Sequence, residues 1–166
     1  MAGAHTLAET ERQVSDRLKG MSIDFTSMAV TSNLFRAATA VRNHLERSVL
    51  APHGLSWTAF VVLWVVWIWE PIETRQIAEE GGFSKATLTG VLSTLENRKL
   101  AIRKKSKEDG RLVLVELTPA GRKLMQELFP EFNQQEQFVA GAVPADKRDE
   151  LAEALRRITA NIEKND

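Results

Sequence analysis

Between Phe83 and Leu117 the spacing of apolar residues changes from a helical period to a strand period. The segment reads FSKATLTGVLSTLENRKLAIRKKSKEDGRLVLVEL. Ser84 suits a helix N-cap, because its hydroxyl accepts a free amide of the first turn. Leu88, Val91, Leu92 and Leu95 then form one apolar helix face. The opposite face carries Lys85, Thr87, Thr89, Gly90, Ser93 and Arg98, all small, polar or cationic. Ala101 to Lys105 and Leu112 to Leu117 read as two short strands, with the turn signal Asp109-Gly110 between them. From Ser84 to Arg111 there are eight Lys or Arg and three Asp or Glu, a local net of +5. The whole chain holds 22 residues of each sign, so its positive charge is gathered on one helix and the hairpin behind it. Such a patch is the footprint of a surface that meets a phosphate backbone.

Upstream, Thr74 to Glu80 reads as a two-turn helix with Ile77 and Ala78 inward. Gly81-Gly82 makes the turn into the helix capped by Ser84. Two short helices joined by a Gly-containing turn form a helix-turn-helix. Ile72 is placed to add a short strand to the hairpin. Ser56 caps a helix from Trp57 to about Trp69 that is apolar at every position but Thr58. A helix apolar on all sides is expected to be enclosed on all sides. Its four tryptophans, Trp57, Trp64, Trp67 and Trp69, fit a central core, and some of the rings also suit a cavity for a flat ligand. At 13 residues this run falls short of the roughly 20 that span a bilayer. With no apolar signal core at the N-terminus, a cytoplasmic location is expected.

The outer thirds read as helices. Thr6 to Lys19 carries Leu7, Val14 and Leu18 at helical spacing, suiting a short helix laid on a neighbour or a frayed tail. Asp24 to Leu50 reads as one long helix with a stripe of Leu34, Ala38, Val41, Leu45 and Val49, ended by Pro52 and Gly54. Thr118 and Pro119 start another helix as N-cap and first helical residue. Pro130 is expected to kink or interrupt it. Asp146 to Glu163 forms the last, where Leu151, Leu155, Ile158 and Ile162 step by four, three and four. Apolar seams at both ends of one small chain predict a homodimer.

The basic hairpin with Asp109 and Arg111 at its tip, followed by Leu-Thr-Pro-Ala-Gly from Leu117 to Gly121, resembles the winged helix-turn-helix of the MarR family of bacterial transcriptional regulators. The resemblance runs from about Asn33 to the C-terminus. Gly110 stands where many members carry another charged residue, and the N-terminal segment is extra. The resemblance implies a mostly α fold with a small β-hairpin wing and N- and C-terminal dimerisation helices. The expected divisions are 1–50 for N-terminal dimerisation helices, 51–118 for the winged DNA-binding lobe, and 119–166 for C-terminal dimerisation helices. It also implies a sequence-specific regulator of a palindromic operator in double-stranded DNA, a repressor released by a small aromatic or phenolic ligand.

In a helix-turn-helix the second helix enters the major groove with its N-terminal residues at base edges. Here those are Ser84, Lys85, Ala86, Thr87, Thr89 and Gly90, with Ser93 farther along. Thr methyls and Ala86 suit a thymine methyl, and hydroxyls suit base or phosphate. Lys85 suits a guanine or a phosphate; Arg98 suits the DNA backbone or water. Arg111 fits a minor groove, steadied by Asp109 through a bidentate pair; otherwise the two are an exposed ion pair of little worth. Lys104, Lys105 and Lys107 suit sequence-independent phosphate contacts.

For the ligand, Arg36 and His44 on the long helix and Trp57, Phe60 and Trp64 on the core helix are the candidates, a cation for a carboxylate and rings for stacking. They equally suit core and surface roles without a ligand. The chain has no cysteine, which excludes disulfides, cysteine-ligated zinc and thiol redox sensing. The three histidines, His5, His44 and His53, are far apart in sequence; His44 and His53 could approach each other, but ordinary surface or core histidines are the favoured reading, and neither metal nor cofactor is expected. Without a phosphate-cradling glycine loop, a zinc-binding His-Glu pair or a nucleophile elbow, no enzyme is expected. The alternative is a winged helix that binds protein in place of DNA. Hydroxyls and lysine on the exposed face of the Ser84 helix favour DNA.

Overall fold

The computed structural model of the chain describes residues 5–106 and 108–164. It divides into two compact units, Met1–Asn43 and His44–Asp166. In the first, α1 (Leu7–Arg17) is started by a capping box in which Thr6 and Glu9 satisfy each other's backbone amides. The helix expected as one alternative for this segment is therefore formed. Asn33 of α2 (Phe25–Leu45) donates to Glu11 of α1 at 3.0 Å. Asp24 caps α2 through the amides of Thr26 and Ser27.

The long helix does not stay regular to Leu50. After Leu45 it widens into a π turn, Glu46–Leu50, and then tightens into a 3₁₀ turn, Ala51–His53. Gly54 ends it at φ 64°, a left-handed conformation that glycine adopts without penalty. The irregular turn buries Leu45, Val49 and Leu50 together.

In the second unit Ser56 caps α3 (Trp57–Trp69) by accepting the Ala59 amide at 3.2 Å. Phe60, Val62, Leu63, Val65 and Val66 form the buried heart of the lobe. Enclosure on every side, expected from composition, is not met. Ile68 and Trp69 are 49% and 64% exposed, and the other three tryptophans are half-buried. Apolar composition says which surfaces favour burial, not which neighbours reach them.

β1 (Ile72–Glu73), β2 (Ala101–Lys105) and β3 (Val113–Leu117) form an antiparallel sheet in the order β1-β3-β2. Ile72 pairs with Val115, and Arg103 pairs with Val115 from the other side. Between β1 and β2 lie α4 (Thr74–Gly81) and α5 (Lys85–Asn97), joined by a turn with Gly82 at φ 64°. Ile77, Leu88, Leu92 and Leu95 anchor the two helices on the core. This is a winged helix-turn-helix, mostly helical with a small sheet.

α6 (Pro119–Ala140) continues through Pro130, so of the kink or interruption expected there the interruption is not found. Met125, Leu128 and Phe132 are buried on the turns around Pro130, and their packing offsets the missing backbone bond. The last helix starts later than expected. Ala145–Lys147 is a 3₁₀ turn, and α7 spans Arg148–Glu163. No residue of α7 is buried. Among the described residues no single helix is long and apolar enough to cross a membrane.

Candidate nucleic-acid interface

The exposed face of α5 is built by its cap and by its own backbone. Ser84 accepts the Thr87 amide at 3.1 Å, and the two hydroxyls lie 2.9 Å apart. Thr89 donates its hydroxyl proton to the Lys85 carbonyl at 2.8 Å, and Ser93 donates to the Thr89 carbonyl at 3.0 Å. With its proton on the Lys85 carbonyl, the exposed Thr89 hydroxyl is left with acceptor lone pairs. That suits the amino groups of adenine or cytosine, while the Thr methyls suit thymine. Lys85, Ala86, Thr87, Thr89 and Gly90 are all exposed. A Cβ built on Gly90 meets nothing within 4 Å, so the lobe itself leaves this point of the surface open.

The wing carries its cations on carboxylates. Asp109 accepts the Arg111 backbone amide at 3.0 Å, its Nε at 3.1 Å and its Nη2 at 3.0 Å. The guanidinium holds the Asp109 carboxyl below the usual range, its side-chain hydrogen bond being the largest cause. A folded-state pKa below the unfolded one stabilises the brace above the ordinary aspartate range. The brace is lost only as pH falls through the lowered value, so it is fully formed near neutrality. The Arg111 side chain stays 91% exposed, which means it is aimed and also available. Lys104 pairs with Glu116 across the strands at 2.7 Å, and Lys105 is exposed one residue on. Lys107, expected as a phosphate contact, lies outside the described residues.

Arg98, expected against the DNA backbone or in water, also has partners within the lobe: its guanidinium donates to the carbonyls of Gly54 at 2.7 Å and His53 at 2.8 Å. It staples the end of α5 to the loop before α3, a role invisible in sequence because the partners are 44 and 45 residues away.

Several residues that position the interface escape a sequence reading. Glu70, just past α3, accepts the Leu117 amide at 2.6 Å and Arg122 Nε at 2.7 Å, and Arg122 also donates to the Leu117 carbonyl. Glu96 takes Arg103 on its carboxylate. Each pair joins helix to strand or helix to helix, where no periodicity signals it. The Leu-Thr-Pro-Ala-Gly segment gains a physical meaning. Thr118 donates to the carbonyls of Lys99 and Leu100, and a Cβ at Gly121 would lie 2.0 Å from the Leu100 oxygen. Lys99 itself sits at φ 57°.

The ligand candidates are spread out. Trp57, Phe60, Phe132, Phe129 and Trp64 form a contiguous aromatic run between α3 and α6, with Phe60 stacked on Phe132 at 4.3 Å and Trp64 on Phe129 at 4.8 Å. Phe60 is buried in that stack, whereas Trp57 and Trp64 are half-exposed. His44 meets Gln135 at 2.8 Å and lies beside the Phe138 ring. His53 meets Glu131 at 3.6 Å. Arg36 is an exposed residue of the first unit.

Comparison with known proteins points the same way. The model of the MarR family matches residues 55–113. The HTH-type transcriptional regulator YwaE of Bacillus subtilis (strain 168), itself uncharacterized, is 35% identical over 159 residues, covering 94% of this chain and 93% of its own length. Among solved structures, Bordetella bronchiseptica BpsR, whose DNA binding is regulated by 6-hydroxynicotinic acid, shares 27% identity. Its TM-score is 0.72, over 79% of this chain and 98% of BpsR. AbsC, a MarR family transcriptional regulator from Streptomyces coelicolor, has a TM-score of 0.77 at 20% identity, over 86% of this chain and 97% of its own, and shows the fold alone.

Proposed function

The chain belongs to the MarR family of transcriptional regulators, and we propose that it is a homodimeric repressor that reads a palindromic operator and releases it on binding a small aromatic or phenolic acid. The observation that carries the DNA contacts is the pairing of two exposed surfaces on one lobe. One is the face of Ser84, Lys85, Thr87, Thr89 and Gly90; the other is Arg111 aimed by Asp109. The first suits the major groove and the second the flanking minor groove. Lys104 and Lys105 hold phosphate beside them, a role that also suits Lys107. BpsR, with its aromatic acid, supports the ligand class, and within the second unit the half-exposed rings of Trp57 and Trp64, with His44, are the residues proposed to serve it.

Selection of genomic fragments on the purified protein, read by sequencing, tests this directly. A shared motif with half-sites about one helical turn apart is the expected result. Enrichment of no motif would leave the lobe a protein-binding module. Adding hydroxylated aromatic acids to the selected complex should release the DNA.

On the selected operator, Asp109→Ala should weaken binding although it removes a negative charge, because Arg111 loses the carboxylate that aims it. Simple electrostatics expects the opposite sign, so tighter binding at every salt concentration would reduce the wing to a diffuse positive patch. Lys105→Ala should weaken operator and scrambled duplex alike and lower the log–log salt slope by about 0.9, the value for one phosphate contact.

A further inference from the structure

We infer that Glu96 and Arg103 form a strut that sets the distance between the helix in the major groove and the wing in the minor groove, and so the operator spacing that one lobe accepts. The inference rests on the DNA-binding reading above.

Glu96 lies in the last turn of α5, and Arg103 is the middle residue of β2, at the root of the wing. One carboxylate engages one strand residue three ways. It accepts Arg103 Nε at 3.0 Å and Nη2 at 2.5 Å, and also the Arg103 backbone amide at 3.1 Å. A side-chain fork alone leaves a strand free to slide, whereas the added main-chain bond fixes the strand itself. Arg103 Nη2 reaches on to the Ser93 hydroxyl at 3.5 Å, on the flank of the recognition face. An ordinary surface ion pair contributes little. This pair is about two-thirds covered and joins two elements that carry separate contacts.

The sheet transmits the restraint. Arg103 faces Val115, Lys104 faces Leu114 and Lys105 faces Val113, so the hairpin moves as one ladder. From Arg103, level with Val115, to the level of Arg111 the arm is about 13 Å, four residues of strand. A rotation of about 15° at the root would carry Arg111 about 3.4 Å, one base-pair step. A loosened root therefore lets the wing reach a minor groove one base pair too near or too far.

The test uses the full-length protein and its selected operator, with one base pair inserted or deleted between each half-site and its flanking A·T tract. Wild type should lose about tenfold on the altered spacings, as expected for coupled contacts. Glu96→Gln and Arg103→Gln should bind all spacings nearly alike, and the double variant should be no worse than either single one. The salt slope should stay at the wild-type value in each. A slope lowered by about 0.9 in Arg103→Gln would instead make Arg103 a phosphate contact and overturn the strut. Spacing preference retained in either variant would overturn it as well. Thermal melting checks that each variant folds; where one does not, Arg103→Lys, which keeps the charge and drops the fork, carries the same expectation. If wild type selects no motif at all, the DNA-binding reading fails first and takes the strut with it. If wild type reads its operator and the variants keep its spacing, the strut alone fails.

Discussion

Gly121→Ala is expected to destabilise the protein by about 3 kcal/mol, the upper part of the range for an added methylene that cannot be accommodated. At this chain length that lowers the melting temperature by roughly 10 °C. In an ordinary helix interior the same change is favourable by about 1 kcal/mol, so the sign is diagnostic. The new methyl would lie 2.0 Å from the Leu100 oxygen and 3.0 Å from its carbonyl carbon. Neither atom belongs to a side chain that can swing away. The same oxygen accepts the Thr118 amide at 3.0 Å, and the next residue, Ala101, is buried at the start of β2. Relief of the clash must therefore move the first turn of α6 or the root of the wing. Operator affinity should fall further than stability alone explains, because the wing moves with β2. Melting of wild type and variant at equal protein concentration checks the first part. An unchanged or raised midpoint would show that α6 can shift without cost.

Changing Leu155 and Ile158 together to Glu should convert the protein to monomer and abolish operator binding. Leu151, Leu155 and Ile162 are 44%, 38% and 55% exposed, and Ile158 is half-buried, although all four lie on one face of α7. A seam of that kind has no partner within its own helix and is covered when a second copy supplies one. Two carboxylates in it are desolvated together and repel their symmetry mates. On the proposed reading each lobe takes one half-site, so losing the dimer would remove the gain of binding two at once. Sedimentation at micromolar concentration gives the mass, and far-ultraviolet circular dichroism shows whether the lobe remains folded. A variant that still sediments as a dimer would take this helix out of the interface.

The local parts of this architecture are legible in the sequence. Ser56, Ser84 and Thr118 announce their helices because a cap acts within three residues. The switch of period after Asn97 announces the wing, and Asp109 with Arg111 announces its brace because the partners are two residues apart. What joins these parts is not legible. Glu70 finds Arg122 at 52 positions' remove, and Arg98 finds the Gly54 carbonyl at 44. Such pairs exist only once the core has brought the elements together. Composition also misled where it was most uniform: Trp69 belongs to an apolar run yet faces outward, because nothing reaches it. Pro130 does not end its helix, since a single residue's preference yields to packing on the turns around it.

Of the eight cations between Ser84 and Arg111, four already have partners within the lobe: Arg98 on carbonyls, and Arg103, Lys104 and Arg111 on carboxylates. A regulator searches a chromosome by sliding on the sequence-independent attraction between its cations and phosphate. Three of these cations, Arg103, Lys104 and Arg111, are opposed by a carboxylate of the same lobe, so on the DNA-binding reading proposed above this lobe is expected to leave random sequence quickly. Its residence time at a site should then follow how well the bases and groove fit it, with few copies held by the rest of the genome.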